Sequence, residues 1–180
     1  MPQWMIYGAN GYTGELIARE AVRRGERPIL AGRSGDKIVP LAKELGLDAR
    51  IFDLDRIDLH DVDLVLHCAG PFTRTAKPMV RACLEARAHY LDITGELNVF
   101  EAVLARDADA KARGITLLPG VGFDVVPTDC LAAKLKERMP DATELWLAFY
   151  SRGGSISRGT MKTMIEHSGK GGAIRKDGAI

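Results

Sequence analysis

Three glycines near the start of the chain, Gly8, Gly11 and Gly14, recur at every third position. They follow a short apolar run at 4–7 and open a stretch with helical periodicity at 15–22. Such glycines let the backbone turn sharply and approach a pyrophosphate, while unpaired N–H groups at the start of the helix face the phosphates. The pattern therefore predicts a dinucleotide-binding turn. The residues assigned to it are Gly8, Asn10, Gly11, Tyr12, Thr13 and Gly14.

The next apolar run, 28–31, ends in a sequence that bears on the choice of dinucleotide. At the end of the second strand of such a domain, an acidic residue binds the ribose 2′-hydroxyl of NAD, whereas an arginine suits the 2′-phosphate of NADP. This chain has Arg33 and Ser34 there and no acid. A guanidinium can form paired hydrogen bonds with a phosphate. We therefore predict NADP(H), with NAD less favoured; the alternative is that Arg33 is a solvated loop charge.

Two further segments are predicted to contact the cofactor. Asp53 and Leu54 follow the third strand, where the adenine would lie, and Asp53 could accept a hydrogen bond from its exocyclic amine or cap a helix. Small residues end the fourth strand, where the strand order reverses, and would let the ribose and the nicotinamide approach. These residues are Cys68, Ala69, Gly70 and Pro71.

Four acids follow the fifth and sixth predicted strands: Asp92, Glu96, Asp124 and Asp129. They are expected near the carboxyl edge of the sheet, where ligands of open α/β sheets bind. The four acids could bind a substrate amine, or one of Asp92, Glu96 and Asp124 could hold a proton for transfer. A capping role is the alternative for Asp92 and Asp129. Hydride transfer needs mainly a well-placed nicotinamide, so a dedicated acid is not obligatory.

Cys68 and His67 are not assigned a chemical role. No adjacent His-Asp pair could activate the Cys68 thiol, so a packing role is favoured. His67 is interpreted as a core or surface histidine whose ring nitrogens are satisfied by hydrogen bonds. The three cysteines lack CxxC spacing and the four histidines are scattered, so no metal site is predicted.

Apolar runs alternate with amphipathic stretches along the first two thirds of the chain, which is typical of a parallel α/β sheet. We predict a doubly wound, Rossmann-type sheet of order 3-2-1-4-5-6. Thr75 is expected to cap the third helix, with Pro78 in its first turn. Gly120 and Gly122 are not expected to form a second dinucleotide site, because the third glycine is missing. The predicted strands are 4–7, 28–31, 49–53, 63–68, 89–93 and 115–118, and the predicted helices are 15–22, 38–45, 75–86 and 98–112.

The pattern changes after residue 125. A helix at 127–138, a strand at 144–150, a short helix at 160–167 and a glycine-rich turn or hairpin at the end are predicted. These elements do not make a complete core. We therefore divide the chain into a dinucleotide-binding domain, 1–125, and the incomplete beginning of a second α+β region, 126–180.

Composition excludes several classes of protein. The chain has 180 residues, 46% hydrophobic and 27% charged, with a net charge of +1. A net charge this close to zero gives no electrostatic indication of binding to nucleic acid or to an acidic membrane surface. The sequence contains no run long enough to span a membrane and no signal peptide, and its cysteines suit a reducing compartment. The expectation is a cytoplasmic protein that acts on a small molecule.

Five segments together resemble the saccharopine dehydrogenase-like oxidoreductases, a group that includes trans-acting enoyl reductases. They are Gly-Ala-Asn-Gly-Tyr-Thr-Gly at 8–14, Cys-Ala-Gly-Pro-Phe at 68–72, Tyr-Leu-Asp-Ile-Thr-Gly-Glu at 90–96, Gly-Phe-Asp-Val-Val-Pro-Thr-Asp at 122–129 and Ser-Arg-Gly-Thr at 157–160. The resemblance implies NAD(P)-linked hydride transfer to or from an imine or a polarised double bond. Family members are longer and carry a substrate and dimerisation region after this part, so the chain resembles an N-terminal fragment.

Two other classes of function are considered. One is a regulator similar to the NmrA-like proteins, which bind NADP(H) as a signal. No tyrosine is followed by lysine four residues later, so the Tyr-x-x-x-Lys pair of active short-chain dehydrogenases is absent. This absence disfavours short-chain dehydrogenase chemistry and leaves the regulator open. The other is an assembly role in which apolar residues at 145–149 pair between subunits. Homo-oligomerisation is expected in either case.

Overall fold

Short apolar runs form the strands of the sheet. The computed structural model describes residues 2–148, 150, 152–153, 161 and 165. In this part of the chain six parallel strands form one sheet of order β3-β2-β1-β4-β5-β6, which confirms the predicted order and fold class. The strands are β1 (Trp4–Tyr7), β2 (Ile29–Gly32), β3 (Ala49–Ile51), β4 (Leu64–His67), β5 (His89–Asp92) and β6 (Leu117–Leu118).

Helices cover both faces of this sheet. Alternate residues of β1 lie in different cores: Met5 and Tyr7 belong to the core on one face of the sheet, whereas Ile6 belongs to the core on the other face. This alternation explains why the central strands are almost entirely apolar. The helices are α1 (Tyr12–Arg23), α2 (Gly35–Leu45), α3 (Phe72–Ala86), α4 (Leu97–Leu104), α5 (Asp107–Arg113) and α6 (Val126–Arg138).

Three helices begin three residues earlier than the sequence predicts: α1 at Tyr12, α2 at Gly35 and α3 at Phe72. The prediction that Thr75 caps α3 is wrong. Its hydroxyl lies inside the helix, and Pro78 lies beyond the first turn. The first N–H groups of α3 have a partner in another loop, which is described below.

The single helix predicted over 98–112 is also wrong, because the structure has two helices there. The break falls at Ala105 and Arg106, where the Arg106 backbone leaves the helical region (φ −96°, ψ 13°). Asp107 and Asp109 then stand in the first turn of α5, where carboxylates complement the helix dipole. Val103 before the break and Ala110 after it are both buried.

The strand predicted at 144–150 is absent from the described residues of that segment, 144–148 and 150. Leu145, Trp146 and Leu147 are exposed there, Trp146 at 90%. None of the six described strands pairs with this segment, so its backbone forms no sheet hydrogen bonds.

The chain divides into two compact units, Met1–Tyr150 and Ser151–Ile180. In the second unit only 152–153, 161 and 165 are described, and the last two are helical. The rest of the helix predicted at 160–167 and the predicted terminal hairpin lie outside the described residues. None of the described helices is long and apolar enough to cross a membrane.

Candidate dinucleotide-binding site

The β1–α1 loop, residues 8–11, passes close to the end of β4. Gly8 has φ +86°, and a Cβ added there would lie 2.9 Å from both the backbone nitrogen and the Cβ of Ala69. Its N–H donates to the Ala31 carbonyl at 2.8 Å. The left-handed conformation and the close approach both require glycine at this position.

The start of α1 fits a pyrophosphate. A Cβ on Gly14 would overlap the Gly8 carbonyl oxygen, so this buried glycine lets α1 pack against the turn. Gly11 precedes α1 and has no side chain to cap it. Tyr12, Thr13 and Gly14 therefore offer first-turn N–H groups, without intrahelical partners, at the positive end of the helix dipole. This arrangement is an anion-binding site.

The end of β2 lies beside this turn. Gly32 has φ +154°, and a Cβ there would lie 2.8 Å from Ile38 Cδ1 and 3.6 Å from Asn10 Oδ1. Asn10 therefore stands between the ends of β1 and β2. Arg33 follows Gly32 and is exposed, while Ser34 precedes α2 with its hydroxyl uncommitted to the helix end. An exposed guanidinium beside the turn suits the 2′-phosphate of NADP.

Asp53 and Leu54 follow β3, as predicted. Asp53 Oδ1 accepts the N–H groups of Asp55 at 3.0 Å and Arg56 at 3.2 Å, so the carboxylate caps a turn rather than a helix. Leu54 is half-buried against the core. The contact of these residues with adenine stays a prediction.

The β4–α3 loop, residues 68–71, begins with a thiol that is poorly suited to nucleophilic chemistry. Cys68 N–H donates to the Tyr7 carbonyl at 2.8 Å and continues the strand pairing. Burial, with the nearby Asp92 charge, raises the pKa of the Cys68 thiol to about 12. The thiol therefore stays protonated at neutral pH, which supports the packing interpretation. Gly70 and Pro71 are joined by a cis peptide bond.

His67 is a core residue with only one of its ring nitrogens bonded. Its Nε2 lies 3.0 Å from Thr75 Oγ1, and Thr75 donates its hydroxyl hydrogen to the Ala69 carbonyl at 2.7 Å. Nε2 must therefore carry the imidazole hydrogen, which leaves Nδ1 as an acceptor. Nδ1 is buried without a hydrogen-bond partner among the described residues. Burial lowers the pKa of His67 to about 3, so the ring is neutral.

Asp92 joins β5 to the turn after β6. Its Oδ1 accepts the N–H groups of Thr94 at 3.0 Å and Gly120 at 2.8 Å, and its Oδ2 lies 2.7 Å from the Tyr90 hydroxyl. The Asp92 carbonyl also accepts from Val121 N–H at 2.7 Å. Burial raises the pKa of the Asp92 carboxyl, and these hydrogen bonds oppose the shift. This geometry matches the capping alternative.

Glu96 caps a helix that follows a different strand. Its side chain is buried, and its two oxygens accept the N–H groups of Phe72 and Thr73, both at 2.9 Å. Glu96 N–H in turn donates to Thr94 Oγ1 at 3.0 Å. The analysis of the sequence missed Thr94 and the partners of Glu96. The available signal was the alternation of polar side chains at 92, 94 and 96 beyond a buried strand.

Asp124 and Asp129 are both exposed. Asp124 Oδ2 lies 3.3 Å from the Cβ position of Gly95, so Asp124 stands beside the β5–α4 loop, residues 93–96. Asp129 lies in the first turn of α6, and no side-chain hydrogen bond of Asp129 is present among the described residues. Its capping alternative is therefore unsupported.

Gly120 and Gly122 are packing glycines. A Cβ on Gly120, which has φ +74°, would overlap the Phe100 ring, and one on Gly122 would lie 3.1 Å from Ile93 Cβ. Phe100 of α4 lies against Gly120, and Ile93 of the β5–α4 loop lies against Gly122. This accounts for the repeated glycine without a second dinucleotide site.

The described residues thus form a doubly wound α/β domain whose β1–α1 loop is shaped for a dinucleotide. The chain belongs to the family of the saccharopine dehydrogenase NADP binding domain, whose model matches residues 4–118. The predicted family and the predicted cofactor, NADP, are confirmed.

Two curated relatives match this chain over part of their own length. It is 28% identical to human saccharopine dehydrogenase-like oxidoreductase over 96% of this chain and 47% of the relative. It is 31% identical to the trans-acting enoyl reductase of Mycobacterium tuberculosis over 85% of this chain and 42% of the relative. The chain therefore spans less than half the length of these relatives.

Solved structures show the same fold. The apo saccharopine dehydrogenase (L-Glu forming) from Saccharomyces cerevisiae aligns with 77% of this chain and 31% of its own, with a TM-score of 0.63 and 18% identity. A crystal structure of GenD2 from gentamicin A biosynthesis, in complex with NAD, aligns with 76% of this chain at a TM-score of 0.53 and 20% identity.

Proposed function

We propose that this chain binds NADP(H) within an oxidoreductase that transfers a hydride to or from an imine or a polarised double bond of a small molecule. The observation that carries the proposal is the uncapped start of α1 beside Arg33. When bound, the nicotinamide supplies or accepts the hydride. The reacting group follows from the family resemblance.

The chain's own residues bind and orient the cofactor. First-turn N–H groups of α1 bind the pyrophosphate, and Arg33 and Ser34 bind the 2′-phosphate. Asp53 and Leu54 border the adenine. The β4–α3 loop, residues 68–71, borders the ribose and the nicotinamide.

Among the acids, Asp124 is the candidate for proton transfer. The carboxylates of Asp92 and Glu96 are buried and bonded to backbone N–H groups, whereas that of Asp124 is exposed. An exposed carboxyl can exchange a proton with a bound substrate. Replacing Asp124 with asparagine should lower turnover by the full-length protein and leave NADPH affinity unchanged. Unchanged turnover would remove Asp124 from this role.

The region 126–180 is proposed as the beginning of a substrate and dimerisation region. Helix α6 buries no side chain, and Leu145 and Trp146 beyond it are exposed. These apolar groups favour self-association. Light scattering over a range of concentrations tests it, and a monomer at high concentration would refute it. No observation on the described residues favours an NADP(H)-sensing regulator over the oxidoreductase.

Calorimetric titration with NADPH and NADH tests the proposed cofactor site. The wild-type chain should bind NADPH more tightly, and Arg33→Asp should reverse that preference by charge repulsion of the 2′-phosphate. Arg23→Asp, at the far end of α1, is the matched control and should keep the wild-type preference. Tighter binding of NADH by the wild type, or an unchanged preference in R33D, would refute the assignment.

A further inference from the structure

Glu96 connects the β5–α4 loop to the start of α3. Its side chain is only 5% exposed, and each carboxylate oxygen accepts one backbone N–H, from Phe72 and Thr73, at 2.9 Å. These are the first two residues of α3, where a helix leaves N–H groups unpaired and its dipole is positive. The paired, charge-assisted hydrogen bonds hold the end of α3 in one orientation.

The residues just before α3 form the β4–α3 loop. A side chain of α3, Thr75, forms hydrogen bonds with this loop. Thr75 Oγ1 lies 2.7 Å from the Ala69 carbonyl oxygen and 3.1 Å from that of Pro71. The position of the β4–α3 loop is therefore fixed by the first turn of α3. That position depends on Glu96, which in turn is held through Thr94.

The starts of α1 and α3 differ in a way that matters for anions. Gly11 precedes α1 without a capping side chain, so the α1 terminus can receive a phosphate. At α3 the protein's own carboxylate takes that place. Glu96 thus closes the start of α3 to an anionic ligand.

We propose that Glu96 is a positioning residue for the nicotinamide half of NADP(H). By fixing the start of α3, Glu96 holds the β4–α3 loop in the position in which it can border the nicotinamide. Glu96 does not itself touch the cofactor. The inference rests on the proposed function, because it assumes that residues 68–71 border the nicotinamide. The adenosine half, assigned to Arg33 and Asp53 beyond β2 and β3, does not depend on Glu96.

Replacing Glu96 with glutamine keeps the side-chain size and removes one acceptor. The amide NH₂ would face a backbone N–H, two donors opposed, and the start of α3 would shift. NADPH affinity should fall about tenfold, the equivalent of one lost charge-assisted hydrogen bond. Affinity for adenosine 2′,5′-bisphosphate, which carries the 2′-phosphate but no nicotinamide, should stay within about twofold.

Calorimetry with these two ligands on the wild type, E96Q and E85Q makes the test. Glu85 lies near the far end of α3, is exposed and pairs with Arg81, so E85Q removes one carboxylate charge beside that helix without disturbing its start. E85Q should bind both ligands like the wild type. A loss confined to NADPH in E96Q supports the proposal.

Other outcomes overturn it in distinguishable ways. If E96Q binds both ligands like the wild type, or loses affinity for both equally, Glu96 has no positioning role for the nicotinamide, and the proposed function stands. If the wild type binds neither ligand, the proposed function fails and the inference fails with it. Should E96Q not fold, as judged by circular dichroism, E96D is compared in the same way: unequal loss supports the proposal and equal loss overturns it.

Discussion

The Cβ that Gly8 lacks would lie 2.9 Å from the Cβ of Ala69. The end of the first strand therefore lies close to the end of the fourth, where the cofactor is proposed to cross. Any side chain at Gly8 would push the two strand ends apart. This displacement would loosen the packing there and distort the proposed phosphate site.

Gly8→Ala should destabilise the chain and abolish tight NADPH binding. The overlap with Ala69 adds about 1–3 kcal/mol to the cost of a left-handed backbone. Gly25→Ala is the matched control, since Gly25 has φ +81° and open space around its Cβ position. Urea denaturation should show a larger loss for G8A than for G25A. Equal losses would mean that the contact with Ala69 is not limiting.

His67 should make the stability depend on pH. Its folded-state pKa is about 3 against 6.5 for the free side chain, so the unfolded chain binds the extra proton between these values. Stability is then unaffected above pH 6.5 and falls on acidification, with a limiting slope of about 1.4 kcal/mol per pH unit. His67→Phe removes this dependence. Denaturation at several pH values tests it, and parallel curves for the two proteins would contradict it.

The thiols should differ in reactivity. Burial raises the pKa of Cys68 and of Cys83 to about 12, whereas Cys130 is exposed. Iodoacetamide at mildly alkaline pH should therefore label Cys130 in the folded chain and all three cysteines in urea. Mass spectrometry of the adducts gives the result. Labelling of Cys68 as fast as Cys130 would reopen the case for a reactive thiol.

Asp92 should tolerate asparagine better than alanine. Burial favours its neutral form, and an asparagine oxygen can still accept from Thr94 and Gly120. Alanine leaves these N–H groups and the Tyr90 hydroxyl without a partner, at about 3 kcal/mol. The free energy of unfolding in urea should rank the wild type and D92N well above D92A. Equal losses in the two variants would show that the charge, and not the hydrogen bonds, is what matters.

The local pattern of the chain was enough to predict the sheet order and the cofactor turn. Gly8 and Gly14 are informative because backbone geometry excludes other residues there, and Arg33 because it follows a strand at a known place. The inferences about Gly8, Gly14 and Arg33 depend on residues within one βαβ unit, where periodicity and glycine positions determine the local structure.

Other features depend on residues far apart in the chain. Glu96 meets Phe72 across 24 residues, and Asp92 meets Gly120 across 28. From the sequence Glu96 was a candidate for proton transfer, and Asp92 for proton transfer or capping, because a carboxylate's role depends on what lies opposite it. Only the alignment of β4, β5 and β6 brings those N–H groups to them. The sequence by itself determined the sheet and the cofactor turn, through local backbone constraints, and the tertiary structure decided which acids hold the loops around that turn.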